Sequence, residues 1–194
     1  MGIYEFAGCV VSYEPLYGLL RRRMETYRSD TEGQPDITLD GTKEDYEKLR
    51  KQYPHLSIEE CEYSCAGAEF YMKLLKHQGF MIHASAVEKE GKAYLFSAPS
   101  GTGKSTHAQL WRQTFKGEPI RIINDDKPAV CLQNGVFYAC GTPFSGKTDK
   151  NENRKAPIQG LCMLHRGKTN KIQKITSGEA LPLILPQTLF CLLY

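Results

Sequence analysis

Between Phe96 and Trp111 the sequence reads FSAPSGTGKSTHAQLW. Apolar residues run into two glycines, a lysine and two hydroxyls, and a helical pattern begins directly behind them. This stretch constrains the chain more than any other, because each residue type in it has a separate physical duty. Gly101 and Gly103 let the backbone turn so that successive N–H groups converge on one anion, and a helix opening near Lys104 adds the positive end of its dipole. Lys104 can then reach the outer phosphates of a nucleotide, and Ser105 can offer its hydroxyl to magnesium. The pattern requires Gly, four free positions and then Gly-Lys-Ser/Thr; Ala98 stands in the first glycine place. The cradle comprises Ser100, Gly101, Thr102, Gly103, Lys104, Ser105 and Thr106. An ordinary glycine turn ahead of a helix is the competing explanation. Average composition gives a chance match in about 1% of chains of this length. The strand before the loop and the helix after it lower that figure, so phosphate or nucleotide binding is expected.

The next landmark is RIINDDKPAV, where Ile120, Ile122 and Ile123 precede Asp125 and Asp126. A strand-ending aspartate beside a solvated neighbour would look the same in isolation. Only about one helix separates Lys104 from Asp125, however, so the aspartates are expected to emerge on the strand next to the phosphate loop. Adjacent carboxylates there can divide two tasks, one near a metal and one near an acceptor hydroxyl, and crowding pushes their proton affinities apart.

The rest of the chain sets limits. Its 194 residues suffice for one domain, or one domain with a small lobe. With 25 basic and 22 acidic residues the formal charge is +3, which gives no bias toward nucleic acid or a membrane surface. The basic clusters are local: Arg21, Arg22 and Arg23, expected to line a helix face, and Lys147, Lys150, Arg154 and Lys155, in a polar loop. That loop is either plain solvated surface or a lid whose cations offset transition-state charge. Seven cysteines without CxxC spacing argue against zinc and against a disulfide framework, and suit reduced thiols in a cytoplasmic protein. The N-terminus has no signal-peptide pattern, and no apolar run reaches transmembrane length.

Residues 1–60 read as a small α/β lobe, and 61–194 as the domain that carries the phosphate loop. In the lobe, IYEFAGCVVSY suggests a hairpin, Pro15 opens a helix, PDITLDG is a short strand, and Thr42 caps a helix with Asp45 three residues on. Beyond it, CAGAEFYMKLLKHQG is expected to be a helix ending at Gly79. FMIHASAVEK and KAYLFSA are expected as two antiparallel strands, and residues 92–125 as a βαβ-like unit. A hairpin turns at Asn134-Gly135, IQGLCMLHRG and NKIQKIT read as strands, and the C-terminal segment as a helix interrupted at Pro182 and Pro186. Its apolar end, LPQTLFCLLY, suits an oligomer contact or a cut chain, so a homo-oligomer is one expectation.

SGTGKS at 100–105, NDD at 124–126 and MIHASAV at 81–87 together resemble the catalytic domain of HPr serine kinase/phosphorylase. That family is a bacterial P-loop protein kinase whose fold is related to phosphoenolpyruvate carboxykinase. His83 stands 21 residues ahead of Lys104, as the histidine of that family stands ahead of its lysine. The resemblance spans roughly residues 77–176. It implies an α/β P-loop core of mixed sheet with helices, MgATP as cofactor and a hydroxyl as acceptor. It further implies Asp125 as general base, His83 setting its protonation, and Asp126 with Ser105 on the metal side. GTPFSGKTDKNENRKAP stands where the family carries a further signature segment. The likeness is closer to small kinase-like proteins of this superfamily, some of which phosphorylate peptide serines. The expected function is therefore an ATP-dependent phosphotransferase acting on a hydroxyl, with a peptide or protein serine as one acceptor class. A small-molecule kinase and a nucleotide-binding switch or scaffold without transfer activity are the alternatives. Neither nucleic acid nor membrane is expected as a partner.

Overall fold

The computed structural model describes residues 1–115, 117 and 119–188. Strands β1 (Gly2–Phe6) and β2 (Cys9–Tyr13) form the first hairpin, and β3 (Ile37–Thr38) adds in parallel beside β2. Helix α1 (Gly18–Met24) lies between β2 and β3, and α2 (Lys43–Gln52) and α3 (Ile58–Leu74) follow. Seven further strands then form one mixed sheet: β4 (Gly79–Met81), β5 (Ala84–Lys89), β6 (Lys92–Ser97), β7 (Arg121–Asn124), β8 (Ala129–Gln133), β9 (Val136–Cys140) and β10 (Lys155–Met163). Their spatial order is β4-β8-β9-β10-β6-β5-β7. Helix α4 (Lys104–Thr114) links β6 to β7, and α5 (Ser177–Ile184) follows β10.

The two faces of the large sheet are read directly from the alternation of its strands. Ala86, Leu95 and Ile123 lie in one core cluster, against which Ile184 of α5 packs. Their chain neighbours Val87, Phe96 and Ile122 lie in another, with Ala108 and Trp111 of α4. A third cluster joins the N-terminal sheet to α3 and onward to β4, β8 and β9 through Tyr4, Phe6, Phe70, Met81 and Cys131. The buried positions of α3 explain its place: Glu62, Ala66, Phe70 and Leu74 recur every fourth residue, with Gly67 and Tyr71 beside them. Glu62 is the polar member. It accepts hydrogen bonds from Tyr13 Oη (3.0 Å), Leu16 N (2.5 Å) and Tyr17 N (3.0 Å), although burial still raises its pKa against the pull of those donors.

Several sequence expectations meet their counterparts here. The first hairpin, the Asn134-Gly135 turn and the antiparallel β5–β6 pair are present. The Thr42–Asp45 capping box opens α2 as its sequence indicates. Other expectations are corrected. Helix α3 starts earlier than Cys65, because Ser57 and Glu60 form a capping box. It also ends before Gly79: the chain tightens into a 3₁₀ turn over Leu75–His77, and Gln78 takes the left-handed conformation at φ 56°. The run FMIHASAVEK is two strands rather than one. Ile82 N donates to Pro128 O and His83 N to Gln187 O, which interrupts the ladder between β4 and β5. NKIQKIT is not a strand; Ile172 and Ile175 are three residues apart, so one strand face cannot hold both, and Ile172 is exposed.

The βαβ-like unit holds with one change: β5 lies between β6 and β7, so the aspartates leave the sheet one strand further from the glycine loop than the sequence suggests. Helix α1 begins at Gly18 rather than at Pro15, with the Leu16 and Tyr17 N–H groups already taken by Glu62. The described cysteines, Cys9, Cys61, Cys65, Cys131, Cys140 and Cys162, are free thiols; Cys191 and the rest of the apolar C-terminal end after Thr188 lie outside the described residues. No helix among the described residues is long and apolar enough to cross a membrane.

The Ser57 cap is the start signal of the longest helix. Ser57→Ala is expected to cost about 1 kcal/mol, which is a fall of roughly 2–4 °C in thermal midpoint for a chain of this size. Calorimetry of the two proteins measures it, and equal midpoints would mean that the cap contributes nothing.

Candidate functional site

Strand β6 runs into Ala98, and the loop to α4 is built on two left-handed glycines. Gly101 has φ 76°, and Gly103, the N-cap of α4, has φ 119°. Side chains rarely adopt such angles, and no atom lies within 4 Å of where a Cβ would stand at either position. The space above the loop is therefore open to a ligand. The first N–H groups of α4, at Lys104, Ser105 and Thr106, have no carbonyl partner in their own helix. Thr102 N closes the turn onto Pro99 O at 3.3 Å. Ser100 and Thr106 are exposed, while Thr102 and Ser105 are half-buried.

The side chain of Lys104 is only 7% exposed, and its Nζ donates to Ala98 O at 3.0 Å. Burial is the largest influence on the ammonium and brings its pKa below the ordinary 10.5. The charges of Asp126 and Asp125 offset part of that effect, so the cation lies within the field of both carboxylates. Arg166, which the sequence gave no reason to single out, donates from Nη2 to Gly101 O at 2.5 Å.

The aspartates are positioned by Asn124 at the end of β7. Its Oδ1 accepts from Asp126 N (3.0 Å) and Lys127 N (2.8 Å), the turn an Asn side chain makes with its own following backbone. Its Nδ2 donates to Thr142 O at 3.1 Å and Thr142 Oγ1 at 3.2 Å. Asp125 is 3% exposed, and both its carboxylate oxygens are engaged. Ser85 Oγ donates to Oδ1 at 2.7 Å, and Thr148 Oγ1 donates to Oδ2 at 2.9 Å.

Asp126 meets an imidazole and an ammonium instead. His83 Nε2 lies 3.4 Å from its Oδ1 and Lys127 Nζ lies 3.5 Å from its Oδ2. Burial works to raise the Asp126 carboxyl, but the His83 hydrogen bond and the Lys127 charge outweigh it, and its pKa stands below the ordinary 3.8. His83 thus faces Asp126, whereas the family resemblance implies a role for it toward Asp125. The histidine backbone is fixed on both sides, by His83 N to Gln187 O at 2.7 Å and by Ser97 Oγ to His83 O at 2.8 Å.

The polar loop closes over these groups. Asp125 N donates to Lys150 O at 3.0 Å, and a 3₁₀ turn, Gly146–Thr148, lies against Asp126. A Cβ at Gly146 would stand 2.7 Å from Asp126 Oδ2, at φ 69°, so this close approach requires glycine. Arg23 of α1 holds the turn from behind, with Nη2 donating to Gly146 O at 2.7 Å and Nε 3.0 Å from Asp149 Oδ1. Its guanidinium lies over the Tyr63 ring, and Tyr63 Oη accepts from Gly146 N at 3.0 Å. Of the arginine cluster, then, Arg23 is a tether to this loop as well as a helix-face residue. Among the four loop cations, Arg154 pairs with Glu88 at 2.7 Å and Lys155 donates to Gln133 Oε1 at 2.6 Å, while Lys147 and Lys150 are exposed. A cleft of about 160 Å³ opens beside Lys127, with Tyr63, Gly67, Tyr71, Met81 and Phe144 in its lining.

Among the described residues, no group of three or more His, Cys, Asp or Glu side chains could hold a metal ion. Magnesium at a nucleotide keeps several waters and takes its remaining oxygens from phosphates and one or two protein groups. Ser105, on the first turn of α4, and Asp126 carry oxygens of the type such a site uses. Signals for the residues the sequence missed were uneven. Ser85 and Asn124 lay inside quoted stretches, and Thr148 lay in the polar loop. Nothing marked Arg23 or Arg166 as neighbours of the site.

No family model matches the chain. No curated protein matches it either. Among solved structures it is similar to the HPr(Ser) kinase/phosphatase from Coxiella burnetii, with a TM-score of 0.35 and 13% sequence identity. The match covers 49% of this chain and 65% of that one, so the chain spans under two thirds of its length. This is a distant structural likeness to a kinase/phosphatase.

Two expectations follow from the charges. Lys104→Met removes a buried ammonium whose desolvation outweighs its attraction to the aspartates, so the ligand-free protein is expected to melt higher than wild type; a lower midpoint would refute that balance. The lowered Asp126 pKa means that the folded state holds the carboxylate better than the unfolded chain does. Its stabilising effect is complete above the unfolded value, near 3.8, and is lost as pH falls through the depressed folded value. The stability gap between wild type and Asp126→Asn should therefore be widest at neutral pH and shrink below pH 3.8. Denaturant titrations across that range read it, and a constant gap would exclude the charge pairing as its source.

Proposed function

We propose that the chain is an ATP-dependent phosphotransferase that moves the γ-phosphoryl group of MgATP to a hydroxyl, with a peptide or protein serine as the acceptor class. The observation that carries this reading is the buried Lys104 ammonium. It sits behind two left-handed glycines at a helix N-terminus and in the field of both Asp125 and Asp126. A cation desolvated there is far more effective toward phosphate than one in water, and it needs little rearrangement when charge develops.

The roles divide as follows. The amides from Ser100 to Thr106, apart from the Thr102 N–H that closes the turn onto Pro99 O, hold the phosphates, and Lys104 holds the outer ones. Bound Mg²⁺ would neutralise the phosphate oxygens, held by Ser105 and Asp126. His83 and Lys127 orient Asp126. Asp125, fixed by Ser85, accepts the acceptor's hydroxyl proton. Because phosphoryl transfer passes through a loose transition state, position and charge supply most of the acceleration. A second reading, a switch that binds nucleotide without transferring, is favoured by the full engagement of the Asp125 oxygens.

Binding and transfer are tested separately. At about 100 times its dissociation constant, MgATP should add roughly 2.7 kcal/mol of stability, about 5–10 °C in midpoint, and Lys104→Ala should abolish most of that gain. An unchanged midpoint with ATP, GTP and pyrophosphate in the presence of magnesium would falsify the phosphate site. Asp125→Asn keeps the shape but cannot take a proton, so it should lower transfer by about 10²- to 10⁴-fold with little change in MgATP affinity. Wild-type protein that binds MgATP but phosphorylates no hydroxyl in a panel of serine peptides and small alcohols supports the switch.

A further inference from the structure

The group that meets the free side of Asp125 is a hydroxyl of the protein itself. Thr148 Oγ1 lies 2.9 Å from Asp125 Oδ2, within the span of about 2.6–3.2 Å that a general base needs from the hydroxyl it deprotonates. The other carboxylate oxygen is taken by Ser85, which is wholly buried. Thr148, by contrast, is exposed and lies on a loop.

Its placement is held by several independent bonds. The turn over Gly146–Thr148 is bracketed by left-handed residues, Gly146 at φ 69° and Asp149 at φ 51°. Arg23 grips both of them, and Asn151 Nδ2 donates to Ser145 Oγ at 2.9 Å across the base of the loop. A non-glycine residue in the left-handed region costs free energy, so contacts around it must keep it there. Here those contacts present Thr148 to Asp125.

We infer that Thr148 is an acceptor within the chain, phosphorylated by the same site when MgATP is bound. The inference rests on the phosphotransferase reading above. In the step, Thr148 Oγ1 forms a bond to the γ-phosphorus while the bond from that phosphorus to the β,γ-bridging oxygen breaks. ADP leaves with the electron pair of the broken bond, and the threonine proton passes to the Asp125 carboxylate. The product carries close to two negative charges. Asp125 and Asp126 repel it, while Lys147 and Lys150 on either side of Thr148 attract it, so the modified turn moves off the base and leaves it open to an outside hydroxyl.

Purified full-length protein incubated with MgATP tests this by intact mass and peptide mapping. The expected result is one added phosphoryl group at Thr148, formed at a rate independent of protein concentration. Thr148→Ser should keep the modification, and both Thr148→Val and Asp125→Asn should lose it, each variant first being shown to melt cooperatively. If the protein is stabilised by MgATP through Lys104 yet gains no phosphoryl group, or gains it at another residue, the inference is overturned and the nucleotide site stands. A modification rate that rises with protein concentration also overturns it, since the acceptor then comes from another molecule. If MgATP does not bind at all, both the inference and the phosphotransferase reading fail.

Discussion

Asn124 carries a carboxamide with two donor hydrogens and two acceptor lone pairs, all of which must be matched once water is excluded. It is completely buried, and it spends those groups on two N–H groups of the turn that follows it and on the carbonyl and hydroxyl of Thr142. The direction in which Asp125 and Asp126 leave β7 is thereby fixed to the segment that leads into the polar loop. Thr142 completes the lock, since its hydroxyl also donates to Lys127 O at 3.1 Å and meets Tyr71 Oη at 2.9 Å. A short side-chain network thus couples the end of one strand, the start of a loop and the middle of α3. Partial loss of such a network leaves buried polar groups unmatched, which costs more than its net contribution when intact.

The local rules of the sequence carried well where one principle acted alone. Two-residue hairpin turns, the Thr42 capping box and the glycine loop before α4 are decided by neighbours within four residues, and they read correctly. Errors arose where distant groups outvoted local ones. The strand from Phe80 to Lys89 is broken because Pro128 and Gln187 supply carbonyls to Ile82 and His83, and no pattern inside the strand reveals that. Gly79 looked like a helix terminator, yet Gln78 takes the left-handed position one residue sooner. In the site, the residue types marked by charge and spacing were legible. Their partners were not: the family resemblance associates His83 with Asp125, and folding sets it on Asp126. Hydroxyl donors such as Ser85 and Thr148 are common, weakly marked residues, so their importance appears only once Asp125 has a position.

Arg23 shows how the N-terminal segment takes part. The guanidinium stacks on Tyr63 of α3 and donates to the loop beside Asp126, while Tyr27 Oη donates to Asn151 Oδ1 at 2.5 Å. A planar, multiply donating group suits this position better than a lysine, because it can stack and bond in two directions together. The first 28 residues therefore set the posture of a loop more than a hundred positions away.

Strand β10 has two different neighbours along its length. Lys155–Pro157 run antiparallel to β9, and from Ile158 onward the same strand runs parallel to β6. Until β10 arrives, the large sheet is two separate pieces, and β6, which leads into the glycine loop, has one unsatisfied edge. Parallel pairing between segments far apart in sequence is slow to form. During synthesis the ribosome must therefore release residues beyond Met163 before the glycine loop has a complete sheet beneath it. The exposed β6 edge is the place where a nascent or stalled chain would pair with another copy of itself.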